Sequence, residues 1–313
     1  MNAQEPAAVP AISILPSGDP GLEAAVRDGG GRVVPLSDET RGIVWRNGQD
    51  GHGELTAALA AHPQVQWVQL PSAGIEAYAH LFREDDRDWT CAKGAFAEPV
   101  AEHALLLVLS SLRDLPHHAR TRRWLSPRTG RSLFDRRVLI IGGGGIATEL
   151  LRMLAPFRVR TTVVRRTPVP VAGADRTVTV ERLDEVLPDA EVVVVAAAST
   201  AETAKLLDAR RLALLRPDAV LVNIARGSLV DTDALVEALA SGRLAAAALD
   251  VTDPEPLPEG HPLWDEPRCV ITSHHADTDD MMAPLFARRV RDNVRALRDG
   301  TALVGTVDPV AGY

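Results

Sequence analysis

Cysteine, long apolar runs and positive charge are all scarce in this sequence, and each scarcity excludes a class of protein. Cys91 and Cys269 are the only two cysteines in 313 residues, too few for a disulfide framework and too far apart for the usual zinc spacings. The longest apolar run, 192–198, has seven residues, whereas a membrane helix needs about 18. No basic segment followed by an apolar stretch opens the chain. We therefore expect a cytoplasmic protein with no membrane contact and no metal.

Acidic residues outnumber basic ones, 42 to 34, which gives a net charge of −8. A protein that binds phosphate backbone is normally basic, so we expect no nucleic-acid partner. The hydrophobic fraction of 46% and the charged fraction of 24% are ordinary for a globular protein. The length suggests two domains or one large one.

Short apolar runs alternate with amphipathic stretches, a pattern typical of parallel α/β sheets. We predict strands in two series: 11–15, 32–36, 42–45 and 66–70, then 138–141, 159–164, 192–198, 219–224, 245–251 and 269–272. We predict helices between and after them: 55–61, 100–112, 146–157, 201–207, 232–241 and 280–299. The Arg- and His-rich segment 115–132 is predicted to be a linker or arm.

A glycine-rich turn joins the predicted strand 138–141 to the helix that follows it. Gly142, Gly144 and Ala147 fit the pattern G-x-G-x-x-A, in which the glycines allow a tight turn and close approach of a pyrophosphate. The N–H groups at the start of the helix, around Gly145 and Ile146, can bind phosphate. The pattern predicts dinucleotide binding; the alternative is a glycine-rich turn without a ligand.

The residue expected to select the cofactor lies at the end of the next strand. An acid about 20 residues after the glycines binds the ribose hydroxyls of NAD, but Arg165 stands there, followed by Arg166. Arginines can bind a 2′-phosphate through charge-assisted hydrogen bonds. We therefore predict a preference for NADP(H), with NAD(H) as the second choice. The alternative is a pair of solvated surface arginines.

Several segments together resemble the D-isomer-specific 2-hydroxyacid dehydrogenase family. They include GIATELLRMLAPF, LVNIARGSLVDTDALVEALASGRLAAAALDV, DPEPLPEGHPLWDEPRCVITSHHA, WVQLPSAGIEAY and GAFAEPVAEHALLLVLSSLR. The resemblance implies two doubly wound parallel-sheet α/β domains with a cleft between them. One is a Rossmann cofactor domain, 98–279; the other is a flavodoxin-like split substrate domain, 1–97 plus 280–313. It also implies a homodimer, with an arm near 98–132 at the interface.

The same resemblance implies three catalytic residues, Arg226, Glu255 and His274. An imidazole can exchange a proton with the carbonyl oxygen of a 2-oxo acid, a carboxylate can orient the ring, and a guanidinium can bind the substrate carboxylate. Taken alone, Arg226 could form a structural ion pair and Glu255 could be merely solvated. The family pattern T-P-H-x-A favours His274 over His275 as the acid/base.

The resemblance implies substrate and cofactor contacts as well. Backbone N–H groups of Ser72, Ala73 and Gly74 are expected to hold the substrate carboxylate, although an ordinary turn is the alternative. Arg46, with Asn47, is a further substrate candidate. Asp250 is expected either to bind the nicotinamide carboxamide or to cap its strand. The remaining cofactor contacts are expected at Ala196, Ala197, Thr200, Ala225 and His274.

Ser273 and Ala198 depart from the family pattern, because both stand where the family usually has proline. The predicted reaction is hydride transfer between a nicotinamide cofactor and a short 2-oxo acid or D-2-hydroxy acid, such as glyoxylate or hydroxypyruvate. One alternative is a non-enzymatic nucleotide-sensing or corepressor-like protein of the same fold. Another is a dehydrogenase of a different substrate class, such as phosphite or formate.

Overall fold

The computed structural model describes residues 9–46, 52–82 and 85–308. Asn47, one of the substrate candidates, lies outside these ranges. The chain divides into two compact units, Met1–Phe96 with Asp279–Tyr313 and Ala97–Thr278. Each unit has its own sheet.

The first unit contains a five-stranded sheet in the order β2-β1-β3-β4-β5, the flavodoxin-like arrangement. All its strand pairs are parallel. The strands are β1 (Ala11–Leu15), β2 (Arg32–Val33), β3 (Gly42–Trp45), β4 (Trp67–Gln69) and β5 (Asp88–Thr90). The helices are α1 (Pro20–Asp28), α2 (Gly53–Ala61), α3 (Ala79–Phe82) and, from the end of the chain, α11 (Asp279–Asp299).

The second unit contains a seven-stranded parallel sheet in the order β12-β11-β10-β9-β6-β7-β8. The strands are β6 (Arg137–Ile141), β7 (Arg160–Arg165), β8 (Arg176–Thr179), β9 (Val192–Val195), β10 (Val220–Asn223), β11 (Ala246–Leu249) and β12 (Cys269–Ile271). The helices are α4 (Ala97–Leu112), α5 (Leu115–Arg120), α6 (Gly145–Leu154), α7 (Leu183–Val186), α8 (Ala209–Leu212), α9 (Thr232–Ala240) and α10 (Pro262–Asp265). The chain reverses its strand order between β6 and β9, where ligands of open α/β sheets bind.

The two parallel-sheet α/β domains confirm the predicted fold class. The central strands are buried over their whole length, as in β9 and β10, and buried parallel strands have the continuous apolar sequences seen here. Helix α6 packs Ala147, Leu150 and Leu154 inward. Within the described residues, no helix is long and apolar enough to cross a membrane.

The predicted helix 201–207 is wrong, because the segment forms turns instead. The Thr203 hydroxyl accepts from the Thr200 backbone N–H at 2.8 Å and donates to the Ala198 carbonyl at 2.8 Å. Such local side-chain bonds compete with helix formation. Lys205 adopts a left-handed φ of 47°. The helix begins later, at α8, whose cap is the Asp208 carboxylate.

Several elements were missing from the prediction. Helix α1 begins at Pro20 and is capped by Asp19. Strand β5 has three residues and β8 four. Helix α5 lies inside the segment predicted as a linker or arm.

Candidate active site

The turn after β6 has the shape that a dinucleotide needs. Gly142 has φ 114°, and a Cβ there would lie 2.4 Å from the Ala196 carbonyl oxygen. A Cβ on Gly144 would meet no atom within 4 Å, so the space above that backbone is open. Gly144 also caps α6 without a side-chain hydrogen bond, which leaves the N–H groups at Gly145 and Ile146 for an anion. These residues fit the pyrophosphate of a dinucleotide.

Arg165 lies beside this turn. A Cβ on Gly143 would lie 3.2 Å from both Cβ and Cδ of Arg165. The Arg165 guanidinium donates from Nη1 to the Val169 carbonyl at 3.1 Å, and Arg166 is exposed. Arg165 therefore ends β7 against the glycine turn, and Arg166 follows it, at the position where the sequence leads us to expect the adenosine ribose.

The loop after β9 borders the same turn. The Ala196 N–H donates to the Ile141 carbonyl at 2.7 Å, and Ala197 backbone lies against Gly142. The Thr200 N–H is bonded to the Thr203 hydroxyl. Ala196, Ala197 and Thr200 thus lie at the reversal of strand order, on the side of the glycine turn away from Arg165.

Arg226 follows β10 in a tightly built loop. The Asn223 side chain accepts from the Ala225 N–H at 3.1 Å and donates to the Arg226 carbonyl at 2.9 Å. The Arg226 guanidinium donates to the Ala225 carbonyl at 2.8 Å. A Cβ on Gly227 would lie 1.9 Å from the carbonyl atoms of Thr252. Only glycine allows this loop to pack against the one that carries Glu255.

The structure brings Glu255 and His274 together. Nδ1 of His274 donates to Oε1 of Glu255 at 2.6 Å, and Glu255 Oε2 accepts from the Thr252 N–H at 3.4 Å. The side chains are 46% and 41% exposed, so the pair is open to a ligand. Because Nδ1 is bonded to the carboxylate, Nε2 is the ring nitrogen available to a substrate.

His275 is bonded within its own loop. Its Nδ1 lies 2.8 Å from the Thr272 carbonyl oxygen and 2.6 Å from that of Ser273. Ser273 and His274 both have left-handed φ angles, 52° and 56°. A proline ring fixes φ near −65°, so the proline usual in the family does not fit the backbone at Ser273 as it stands.

Asp250 organises this loop from the end of β11 and is 2% exposed. Its carboxylate accepts from the Thr272 hydroxyl at 2.5 Å and from the N–H groups of His275 and Ala276 at 2.8 and 3.1 Å. Its backbone carbonyl accepts from the His274 N–H. Burial by itself raises the pKa of Asp250, but bonds from His103, Thr272 and His275 lower it to about 2. These bonds are of the capping kind that the sequence offered as the alternative, and the expected contact with the nicotinamide carboxamide stays a prediction.

Asp277 is a site residue that the sequence reasoning missed. Burial raises the pKa of its carboxyl group and the Asp250 charge adds to the rise, while His274 and Arg226 oppose it. Asp277 therefore lies near both predicted catalytic side chains. Nothing in the family pattern singles out this position, three residues after His274.

In the first unit, the predicted substrate loop follows β4. The Ser72 hydroxyl donates to the Gly74 carbonyl at 2.5 Å, and the Ser72 carbonyl accepts from the Ala92 N–H at 2.9 Å. Ala73 is exposed at the tip. Arg46 forms an ion pair with Asp19 at 3.2 Å, which gives its guanidinium a structural role at the start of α1.

A cavity of about 850 Å³ in the first unit lies away from this loop. Its lining residues lie before β4 and at the start of β5, and they include Val65, Gln66, Asp85, Asp86 and Asp88. The Ser72 loop follows β4, so the cavity lies at the amino ends of the strands and the loop at their carboxyl ends. Among the described residues, no cluster of three or more His, Cys, Asp or Glu side chains could hold a metal ion.

The chain is similar to proteins of a known family. Residues 103–276 match the family model described as D-isomer specific 2-hydroxyacid dehydrogenase, NAD binding domain. The chain is 32% identical to the human glyoxylate reductase/hydroxypyruvate reductase over 257 residues, covering 77% of each protein. It is 39% identical to an uncharacterized protein in the proB 3′ region of Corynebacterium melassecola, covering 80% of this chain and 84% of that protein.

A solved structure is similar over nearly the whole length. It is a D-isomer specific 2-hydroxyacid dehydrogenase from Xanthobacter autotrophicus Py2 in complex with NADPH and MES. The TM-score is 0.82 at 29% sequence identity, covering 98% of this chain and 100% of that one.

Proposed function

Since the chain belongs to the D-isomer specific 2-hydroxyacid dehydrogenase family, an NAD(P)-dependent family of oxidoreductases, we propose that it reduces a short 2-oxo acid such as glyoxylate or hydroxypyruvate to the D-2-hydroxy acid. The observation that carries this proposal is the 2.6 Å contact between Glu255 and His274, exposed to ligand. A relative at 32% identity is named for both substrates, which supports the choice of substrate class.

His274 is the proposed acid/base. A bound nicotinamide cofactor supplies the hydride that adds to C2 of the 2-oxo acid. As that carbon is reduced, its oxygen takes the proton from Nε2 of His274, and the reverse reaction returns it. Glu255 accepts the hydrogen bond from Nδ1–H throughout, which fixes the orientation of the ring.

Arg226 is the proposed anchor for the substrate carboxylate. A guanidinium offers paired donors whose geometry matches a carboxylate, and the same donors polarise the carbonyl oxygen. The bonds around Asn223 and Ala225 fix the backbone from which Arg226 projects. Backbone N–H groups of Ser72, Ala73 and Gly74 are the second proposed contact for the carboxylate.

The proposed cofactor preference is for NADPH. Arg165 lies against the glycine turn, and Arg166 follows it, so a 2′-phosphate would meet positive charge where a carboxylate normally stands. The NADPH-bound relative from Xanthobacter supports the same choice. Each charge-assisted bond is worth about 1.5–3 kcal/mol before solvent screening.

The cofactor preference is tested by comparing kcat/KM for NADPH and NADH at low salt, in wild type and in Arg165→Asp. We expect wild type to prefer NADPH by about tenfold or more, and the substitution to remove or reverse that preference. Arg160→Asp, at the other end of β7, is the matched control. Equal kcat/KM values in wild type, or a preference unchanged in Arg165→Asp, would contradict the proposal.

The reaction itself is tested with purified protein, NADPH or NADH, and a panel containing glyoxylate, hydroxypyruvate and pyruvate, and separately with formate and the oxidised cofactor. We expect absorbance at 340 nm to fall with the 2-oxo acids, and chiral analysis of the products of hydroxypyruvate and pyruvate to identify the D isomer. Cofactor binding without turnover of any 2-oxo acid would favour the non-enzymatic nucleotide-sensing alternative instead.

The proposed assembly is a homodimer in the cytoplasm. Large apolar side chains are exposed along α4, α5 and the arm after them: Leu106 at 54%, Leu115 at 50% and Trp124 at 96%. Such exposure in one stretch of chain is typical of an interface. Both cysteines are free and buried, which fits a reducing compartment. Sedimentation of wild type and Trp124→Ser tests the assembly, and a monomeric wild type would contradict it.

A further inference from the structure

A histidine outside the predicted site contacts Asp250 and Thr272, the two side chains that hold the loop 272–276. We call Asp250 and Thr272 the clamp. His103 lies on α4, and its side chain is 13% exposed. Its Nε2 is 3.0 Å from Thr272 Oγ1 and 3.4 Å from Asp250 Oδ1. The Thr272 hydroxyl is in turn 2.5 Å from the same Asp250 oxygen. Polar groups from α4 and from the residues that directly follow β11 and β12 therefore meet at one buried point.

The bonding pattern determines which atom carries the proton. Asp250 is ionised, with its pKa lowered to about 2, so its carboxylate can only accept. The 2.5 Å contact then requires the Thr272 hydroxyl to donate its single hydrogen to Asp250. With that hydrogen used, Thr272 Oγ1 must accept from His103. His103 therefore carries a hydrogen on Nε2. This N–H donates to Thr272 Oγ1 and also lies near the Asp250 carboxylate.

We propose that His103 is a positioning residue for the catalytic loop: its Nε2–H orients the Thr272 hydroxyl and the Asp250 carboxylate, and these hold residues 274–276 so that His274 meets Glu255. The assignment rests on the proposed role of His274, but the clamp can be measured without any reaction.

The route from His103 to His274 is short. Asp250 accepts from the backbone N–H groups of His275 and Ala276, and its carbonyl accepts from the N–H of His274. These bonds hold His274 at φ 56°, a left-handed backbone conformation that residues other than glycine rarely adopt without such support. If the carboxylate rotates, the loop loses the contacts that favour this backbone, and the imidazole loses its alignment with Glu255.

The test uses two substitutions at one position. His103→Phe keeps a ring and removes the donor, whereas His103→Gln restores a donor near the position of Nε2. His62→Phe is the matched control, since His62 is a half-buried hydrogen-bonded histidine in the other unit. We measure kcat and KM for glyoxylate and NADPH, together with amide hydrogen exchange over 272–277.

We expect His103→Phe to lower kcat by about tenfold or more, because misplacing a catalytic group by about 1 Å can reduce the rate 10²-fold. KM for NADPH should change less than threefold, because the substitution leaves the proposed cofactor contacts at the glycine turn in place. Amides of His275 and Ala276 should exchange about tenfold faster. His103→Gln should recover most of kcat and of the protection, and His62→Phe should resemble wild type.

Unchanged kcat and unchanged exchange in His103→Phe would overturn the proposal, and so would a loss that His103→Gln shares in full. If His103→Phe does not fold, Thr272→Val removes the hydroxyl between His103 and Asp250 and must give the same faster exchange at 275–276. If wild type reduces no 2-oxo acid, the proposed function fails, but the exchange data still decide whether His103 holds the loop.

Discussion

In the second unit, hydrogen bonds and close packing join the loops that follow β10, β11 and β12. In the first unit, the loop after β4 is closed by the Ser72 side chain within its own turn and is joined to the segment after β5 by a backbone bond from the Ala92 N–H to the Ser72 carbonyl. Thr232 donates to the Asp253 carbonyl, Gly227 packs on Thr252, and Glu255 holds His274. By contrast, the Ser72 hydroxyl donates within its own turn. The groups proposed to react are therefore preorganised within one unit, while the proposed carboxylate contacts around Ser72 depend on a short local turn.

The largest effect on kcat is expected in the second unit, where two adjacent histidines should differ sharply. His274→Ala removes the proposed proton donor, so we expect kcat to fall by about 10²-fold or more, the usual scale of general acid–base catalysis. His275→Ala removes a ring bonded only to carbonyl oxygens of its own loop among the contacts described here, and should lower kcat far less. Steady-state rates at saturating substrate decide the matter. If His275→Ala is the inactive variant, the assignment is wrong.

The stability of the protein should depend on pH through Asp250, which holds the loop after β12. Its folded pKa of about 2 lies below the ordinary value of 3.8 for an aspartate, so ionised Asp250 stabilises the fold fully above about pH 4. That contribution, about 2 kcal/mol, is lost as the pH falls toward 2. We expect wild type to lose stability in this window more steeply than Asp250→Asn, measured by urea unfolding at each pH. If the free energy of unfolding changes equally with pH in the two proteins, the ionised Asp250 does not stabilise the fold as proposed.

Gly227→Ala tests whether the packing between loops requires glycine. A Cβ would lie 1.9 Å from the Thr252 carbonyl atoms, so backbone must move, at a cost of about 1–3 kcal/mol. We expect a lower free energy of unfolding and a lower kcat, because the loops that carry Arg226 and Glu255 separate. Gly53→Ala, where a Cβ meets nothing within 4 Å, is the control. Equal stability in the two variants would show that the loops are not packed this way.

The sequence predicted both sheets because their central strands are buried and therefore mostly apolar. Strand β8 was missed because it is the polar edge strand Arg176–Thr179, and β5 because Asp88–Thr90 contains a single apolar residue, Trp89. In the site, family motifs named Glu255 and His274, and the structure brings them into contact, although their roles stay predictions. No pattern names His103, because its contact with Thr272 spans 169 residues and depends on the folded sheet.

Arg226→Lys tests whether shape matters at the proposed anchor as well as charge. Lysine keeps the positive charge but cannot offer two parallel donors to a carboxylate. Losing one charge-assisted bond should lower kcat/KM by about tenfold or more. The unfolding free energy should stay close to that of wild type, which separates this variant from Gly227→Ala. A kcat/KM near that of wild type would exclude the anchoring role.

The smallest effect is expected in the first unit, at Ser72→Ala. The substitution removes the 2.5 Å hydrogen bond to the Gly74 carbonyl, whose net worth is about 0.5–1.5 kcal/mol. A looser turn presents its N–H groups less well to a carboxylate that is bound equally in the ground and transition states. KM for glyoxylate should therefore rise, by about tenfold at most, while kcat stays the same. If kcat falls while KM is unchanged, the turn takes part in the reaction itself, and the division between a preorganised unit and a local binding turn fails.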